Sequence, residues 1–313
     1  MDRLEAMEIL VAVAEAGSFT AAGKRLRIPL PTVSRKLMEL EDHLGTRLLT
    51  RTTRRLELTD AGSDYLAACK RIIEDVSEAE RRAAGEYVAP KGELVITAPI
   101  VFGRLHVVPV VTAFLAAFPD IDIRLVLSDR NVSLLDDHID VAVRIGALRD
   151  SSMVATQVGA VRWVVCGAPD YFAAHGVPRT PTDLADHACI SFEGAAAAAP
   201  WSFRAKGDKA ASVVPVRARL SVNSAEAALD AAAAGAGITR VLSYQAAAAV
   251  GAGTLKIVLG AFEPEPFPVS LLYLSQGVLP LKMRSFIDFA APRLRTALGR
   301  LSKGAGARTR QIS

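Results

Sequence analysis

The sequence predicts an α/β protein whose N-terminal part is almost entirely helical. Three observations lead there. Apolar residues over 1–58 recur at helical spacing and end in two short β-rich runs. A seam of apolar residues at steps of three and four continues over 61–83. Beyond Gly92, strand-like and helix-like segments alternate, the pattern of an α/β domain.

Length and composition set bounds first. A chain of 313 residues suffices for two or three domains, each with its own core. With 51% hydrophobic and 22% charged residues it reads as soluble and globular. It shows no run of eighteen consecutive apolar residues and no secretory leader, so a cytoplasmic protein with no membrane partner is expected. The three cysteines, Cys69, Cys166 and Cys189, lie far apart and lack metal-ligand spacing, so buried thiols are expected.

In the first segment, Leu4, Met7, Val11 and Ala14 form the apolar stripe of a first helix, and Gly17 suits its C-terminal stop. Ser18 can cap a second helix with Phe19, Ala22 and Leu26 inward. Ile28-Pro29-Leu30-Pro31 breaks that helix, and Pro31 fits the first position of a third. Val33, Leu37, Leu40 and Leu44 form the buried stripe of the third helix, while Thr32, Arg35, Lys36 and Glu39 share its other face. Two short strands follow around a basic turn, Arg51 to Arg54.

Thr59 can cap a long helix to about Tyr87, with Ala61, Tyr65, Cys69, Ile72, Val76, Ala79 and Ala83 as its seam. A lone helix of this length, roughly 40 Å, cannot bury its seam on so small a head, so a second copy is the expected partner, with packing on its own chain as the alternative. Val88 to Gly92 is a linker. Strands are expected at 94–97, 121–127, 141–145, 162–166, 201–204, 217–222, 238–242 and 269–274, and helices at 105–118, from Ser224, and at 280–298. Pro292 should kink or break the last helix. Ala195 to Ala199 is a low-complexity loop, and the tail 302–313 is expected to be a disordered basic segment.

Charge is concentrated at the head. Between Ser18 and Leu58 nine basic side chains face four acidic ones, a net +5 against +4 for the whole chain. Such a segment can neutralise phosphates and release counterions. A helix that buries Val33, Leu37 and Leu40 must turn Thr32, Arg35 and Lys36 outward, where they can reach base edges or phosphates. The basic turn would lie on the adjacent backbone as a wing, which makes the first segment a winged helix-turn-helix and duplex DNA its partner. A merely solvated basic face is the alternative.

Three runs carry a resemblance. They are Ala14 to Ala22, Val33-Ser34-Arg35-Lys36-Leu37-Met38-Glu39-Leu40-Glu41-Asp42-His43-Leu44-Gly45-Thr46-Arg47-Leu48, and Arg51 to Gly62. They resemble the opening turn, recognition helix and wing of the LysR-type transcriptional regulators. Ile96-Thr97-Ala98-Pro99, Phe102-Gly103-Arg104, Phe118-Pro119-Asp120, Leu127 to Arg130, Val141 to Gly146 and Gly235 to Ile238 resemble that family's sensor domain.

The resemblance implies residues 1–58 as the DNA-binding head, 59–91 as a dimerisation helix and hinge, and 92–301 as a two-lobed α/β domain like a type 2 periplasmic binding protein. Lobe 1 would span 92–161 and 267–301, and lobe 2 would span 162–266. It also implies a homodimer through the 59–87 helix, a tetramer, RNA polymerase as a partner, and regulation by a small anionic effector, a carboxylate. The set expected at DNA is Ser18, Thr20, Leu30, Thr32, Ser34, Arg35, Lys36, Thr50, Arg51, Thr53 and Arg54. The family commonly carries a Gln or Ser pair where Leu30-Pro31 stands. Leu30 cannot hydrogen-bond a base but can touch a thymine methyl, which shifts base reading toward Thr32 and Arg35.

The effector is expected between the lobes, against Thr97, Phe102, Ser128, Ile145, Gly146, Trp201, Asn223 and Ser224. Thr97 ends the first lobe strand. Asn223 and Ser224 open a helix whose free N–H groups suit an anion. Each has an ordinary alternative: a strand-end hydroxyl for Thr97, a plain N-cap for Ser224, a core aromatic for Trp201. No nucleophile elbow, phosphate-binding loop or zinc-protease motif occurs, so no catalytic residue, metal or cofactor is expected. An enzyme on this fold and a DNA-packaging protein that senses nothing are the rival classes.

Overall fold

The computed structural model describes the chain outside residues 52–55, 84–88, 131–132, 135–136, 148–152, 193–200, 206–210, 275–278 and 310–313. The chain divides into two units, Met1–Ala89 and Pro90–Ser313.

The first unit begins with α1 (Arg3–Ala16), α2 (Phe19–Leu26) and α3 (Leu30–Leu44). Asp2 caps α1, and Gly17 ends it in the left-handed conformation that favours glycine. The buried face of α1 is Ala6, Ile9, Leu10, Ala12 and Val13, whereas Leu4, Met7, Val11 and Ala14 are only half-buried. The expected stripe is thus displaced around the helix. Both rows are apolar, and the choice falls to the row that meets α2, α3 and the next helix together.

Ser18 caps α2 as expected, accepting from the Ala21 N–H. Helix α3 opens at Leu30 with Pro29 as its cap, so Pro31 sits at the second helical position rather than the first. Strands β1 (Leu49–Arg51) and β2 (Leu56–Leu58) pair antiparallel, Leu49 opposite Leu58. Thr53 and Arg54, expected in the turn between them, lie outside the described residues.

Helix α4 (Asp60–Ala83) follows. Thr59 accepts from the Gly62 N–H and donates to the Arg47 carbonyl, which ties the helix start to the end of β1's approach. Cys69, Tyr65 and Leu66 join the head's core. Farther along, Ile72 is exposed, Val76 half-buried and Ala79 exposed. Of the expected seam, Tyr65 and Cys69 pack into this chain's own head, whereas Ala61, Ile72 and Ala79 are exposed.

The second unit contains two five-stranded sheets. The first holds β3 (Gly92–Ala98), β4 (Ile121–Leu127), β5 (Val141–Ile145) and β6 (Met153–Val161), and is completed by a later strand, β14 (Phe267–Leu274), in the order β4-β3-β5-β14-β6. Between β3 and β4 runs α5 (Ile100–Phe102), a π-helical segment at Gly103–Val107, and α6 (Val108–Ala117). This run starts five residues before the helix expected at 105. It is long and apolar enough to cross a membrane by length and composition. Val101, Phe102, Val107, Val110, Val111 and Phe114 are packed in the first sheet's core, so it is a core helix of this unit.

The second sheet holds β7 (Trp163–Gly167), β8 (Cys189–Phe192), β11 (Ala218–Val222), β12 (Ile238–Leu242) and β13 (Lys256–Val258), in the order β11-β8-β12-β7-β13. A separate ribbon pairs β9 (Trp201–Phe203) with β10 (Ser212–Val214). Helices α7 (Pro169–His175), α8 (Ala225–Ala233) and α9 (Ser243–Ala252) accompany this sheet. The chain passes from the first sheet to the second at Arg162 and returns before Phe267, so both crossings lie where β6 meets β7 and β13 leads to β14.

Helix α10 (Leu281–Thr309) closes the chain. It runs through Pro292 without a break and on to Thr309, across most of the segment expected to be a disordered tail. Proline removes one backbone donor. The Arg293 guanidinium donates to the Phe289 carbonyl, and Phe286, Ile287, Ala290, Ala291, Leu294 and Leu298 bury the inner face on the first sheet. That burial outweighs the local cost. The loop Ala195 to Ala199 lies outside the described residues.

Candidate nucleic-acid interface and sensor cleft

Helix α3 sorts its side chains as a groove reader must. Val33, Leu37 and Leu40 are buried in the head. Leu30 is 45% exposed and Met38 56%, and the Arg35 side chain is 65% exposed. Thr32 and Ser34 are half-buried between these rows. Met38 is absent from the expected set, yet steps of four from Leu30 through Ser34 put it on the same row. An open groove of about 550 Å³ runs beside that row, lined among others by Phe19, Ser34, Met38, Thr46 and Arg47. Thr20 is exposed, while Thr50 donates to the Glu57 carbonyl across the hairpin.

Two basic residues of α3 differ in their commitments. Arg35 meets Glu39 one turn on at 3.4 Å, an exposed pair that is readily exchanged for a phosphate or base. Lys36 instead bonds Glu5 of α1 at 2.5 Å, and its side chain is only 16% exposed. Lys36 is therefore a strut between α1 and α3, a correction to its expected place at DNA. Arg51 closes β1. A second tie uses Glu15, which pairs with Arg25 of α2 at 2.8 Å and Lys70 of α4 at 3.0 Å. Burial opposes its ionisation, but the hydrogen bonds from Lys70 and Arg25 prevail and lower its pKa.

In the second unit the expected effector residues divide into three groups. Thr97 is fully buried and donates to the Val126 carbonyl at 2.9 Å, so its hydroxyl proton is used to tie β3 to β4. Phe102 and Trp201 are core aromatics of the first and second sheets, also turned away from solvent. These three corrections share one cause: a residue at either end of a strand or helix is placed by whichever side of the layer it faces, and spacing alone does not give the side.

Ser128, Ile145 and Gly146 are half-buried at the ends of β4 and β5, and Gly146 has open space where a Cβ would stand. Ser224 caps α8, accepting from the Ala227 N–H at 3.3 Å, beside the exposed Asn223.

Residues from both sheets meet nearby. Arg104 of the π-helical segment pairs with Glu226 in the first turn of α8. Phe102 and His106 meet the Tyr244 ring of α9 edge to face, with ring centroids 5.3 Å and 5.8 Å away. Burial lowers the pKa of His106 and raises that of Tyr244. The His106 Nε2 is buried without a hydrogen-bond partner. No local signal pairs Arg104 with Glu226 or Tyr244 in the sequence, because more than a hundred residues separate Arg104 from either.

The three thiols are buried and unpaired, with pKa values pushed up by burial to about 11 for Cys69, 12 for Cys166 and 11 for Cys189. They remain protonated at neutral pH and are poor nucleophiles. Among the described residues no cluster of His, Cys, Asp or Glu could hold a metal ion.

Residues 4–63 match the bacterial regulatory helix-turn-helix proteins of the lysR family, and residues 89–295 match the LysR substrate binding domain. An HTH-type transcriptional repressor of Pseudomonas aeruginosa (strain UCBPP-PA14) is 34% identical over 92% of this chain and 91% of its own length. The full-length structure of the Vibrio cholerae virulence activator AphB has a TM-score of 0.58 and 29% identity, covering 92% of this chain and 98% of that one. CrgA, a LysR-type transcriptional regulator from Neisseria meningitidis, has a TM-score of 0.59 and 28% identity over 93% of this chain and 98% of its own. With a helix-turn-helix head, an effector-binding α/β domain and relatives that regulate transcription, this chain belongs to the LysR family of DNA-binding transcriptional regulators.

Proposed function

We propose that α3 enters the major groove of promoter DNA and that a small anion, a carboxylate, bound between the two sheets sets the regulatory output. The carrying observation is the division of α3 into a buried Val33-Leu37-Leu40 stripe and an exposed face holding Leu30, Arg35 and Met38. Ser18, Thr20, Thr32, Ser34 and the wing residues Thr50, Arg51, Thr53 and Arg54 supply the flanking phosphate and base contacts. Residues 1–58 act as the reading head, 59–91 as the linker, and 92–301 as the sensor.

The effector meets the start of α8 at Asn223 and Ser224, and Ser128, Ile145 and Gly146 from the first sheet. Free N–H groups at a helix start favour negative charge. The exposed Ile72 and Ala79 row on α4 is buried by a second copy. A tetramer, a cytoplasmic location and contact with RNA polymerase are carried over from the family.

Binding of Arg35→Ala to its operator and to random duplex tests the head. A base contact through a guanidinium is worth about 1–3 kcal/mol, so specific affinity should fall roughly 5- to 150-fold while random binding changes little. Equal losses on both duplexes would make Arg35 a phosphate contact. Calorimetric titration with organic acids tests the sensor: Ser224→Ala should weaken a confirmed effector, and Thr97→Val should not.

A further inference from the structure

A second pocket lies in the other half of the sensor unit, away from the place where the two sheets meet. Its volume is about 390 Å³, within the ~300–1,000 Å³ typical of small-molecule sites. Tyr171, His175, Asp186, His187, Arg217 and Arg219 line it, together with neighbouring main chain. Residues 185–188 precede β8, Arg217 precedes β11, and Gly235-Ala236 precede β12. The pocket therefore sits at the N-terminal ends of three parallel strands. Ser224 follows the opposite end of β11, about 16 Å away along a five-residue strand.

The donors there are built in rather than incidental. The Tyr171 hydroxyl accepts from the Ala188 N–H at 3.0 Å and lies 3.3 Å from His187 Nδ1. A Tyr171 proton directed at His187 Nδ1 leaves the neutral imidazole with its own proton on Nε2, the tautomer the proposal below uses. His187 is 7% exposed, and burial, then the charge of His175, keeps it uncharged. Its Nε2–H is a neutral donor with no protein acceptor among the described residues.

His175 donates from Nδ1 to the Tyr171 carbonyl at 3.1 Å and stacks on the Tyr171 ring. This holds the wall of the pocket rigid. Arg217 and Arg219 both line the pocket and both are exposed, Arg219 standing at an irregularity in the pairing of β11 with β8. No ion pair to either occurs among the described residues. Asp186 is the single carboxylate among the lining residues, outnumbered by the two guanidinium groups.

We propose that this pocket is a binding site for a tetrahedral dianion, a phosphate group either free or carried as a monoester by a small metabolite, separate from the effector cleft. Two guanidinium groups match two negative charges, and their forked N–H groups suit phosphate oxygens. The His187 Nε2–H supplies a third donor from the floor. An anion seated there would bridge the edge strand β11 to the segment before β8.

The test uses the full chain and three probes: inorganic phosphate, glycerol phosphate and acetate. Phosphate should bind saturably by calorimetry and shift the His187 ring signal in NMR. Arg217→Gln with Arg219→Gln should weaken binding at least tenfold, with the tryptophan fluorescence melt of the sensor unit unchanged. Arg219→Gln alone, an exposed change on an edge strand, should give a smaller loss in the same direction.

Glycerol phosphate binding tenfold tighter than phosphate would identify a phosphorylated metabolite as the source, and equal binding would identify free phosphate. Ser224→Ala should leave phosphate affinity as it is. The proposal fails if phosphate does not saturate, if acetate matches it, if both arginine variants bind normally, or if Ser224→Ala abolishes binding and so puts the anion in the effector cleft. Failure of the cleft reading leaves this site untouched, since the two are probed at opposite ends of the same strands.

Discussion

Gly62 joins the wing to the long helix, and Gly62→Ala should loosen that joint. A Cβ built there would lie 1.9 Å from the Leu48 carbonyl oxygen and 2.8 Å from its carbon. Both are backbone atoms, so no rotamer change relieves the overlap. Relief to an ordinary contact of 3.4 Å needs about 1.5 Å of movement between α4 and the segment just before β1, a form of overpacking that typically costs ~1–3 kcal/mol.

The same Leu48 oxygen accepts the Thr59 N–H at 3.0 Å, and Thr59 in turn caps α4 through the Gly62 N–H at 2.9 Å. Movement therefore strains a cap worth about 1 kcal/mol. The better helix propensity of alanine returns a similar amount. The net is a loss of about 2 kcal/mol, or roughly 8–16 °C in the melting of a unit this size.

Both tryptophans, Trp163 and Trp201, lie in the unit after Pro90. Tryptophan fluorescence consequently follows the sensor, while circular dichroism at 222 nm follows both units. The variant should melt its head early by circular dichroism and leave the fluorescence transition in place. A circular dichroism profile within about 2 °C of the parent would refute the argument.

Three further outcomes follow from the geometry. Lys36→Met should lower head stability by up to about 1 kcal/mol through loss of the Glu5 pair, yet leave the salt dependence of DNA binding unchanged. A drop in the logarithmic salt slope of about 0.9 would instead place Lys36 on a phosphate.

Glu15, with its folded pKa lowered, stabilises the head above its ordinary value near 4.5, and that contribution disappears as pH falls through the folded value. Glu15→Gln should cost less than about 1 kcal/mol at pH 7, given the partly exposed pair, and nothing in strong acid; urea titrations at the two pH values check this.

His106, with its folded pKa lowered by burial, works in the other direction: the unfolded chain takes up the proton first, so the sensor unit loses stability as pH drops below about 6.5. His106→Phe should flatten that acid-side loss and, by removing an unsatisfied Nε2, raise the fluorescence midpoint at pH 6. A steeper acid loss in the variant would exclude this account.

Much of the head was legible because its signals are local. Gly17, Ser18 and Thr59 act at the chain positions they occupy, and the Val33-Leu37-Leu40 stripe needs only the helical period to be recognised. The strands at 121–127, 141–145 and 238–242 likewise announce themselves through short β-branched runs bounded by turns. By contrast, β6, β8, β10 and β13 are short or carry alanine and glycine, and their strand identity comes from the neighbours that pair with them.

The sequence by itself determined which helix must face outward at the head, where the charge lies, and that an α/β segment follows. Those properties depend on periodicity and composition, which are fixed along the chain. Only the tertiary structure decided that Lys36 is spent on Glu5, that Thr97, Phe102 and Trp201 are interior, and that Arg104 meets Glu226. Each of those outcomes depends on which distant segment packs alongside, and one residue's side of a layer cannot be known until its neighbour across the layer is placed.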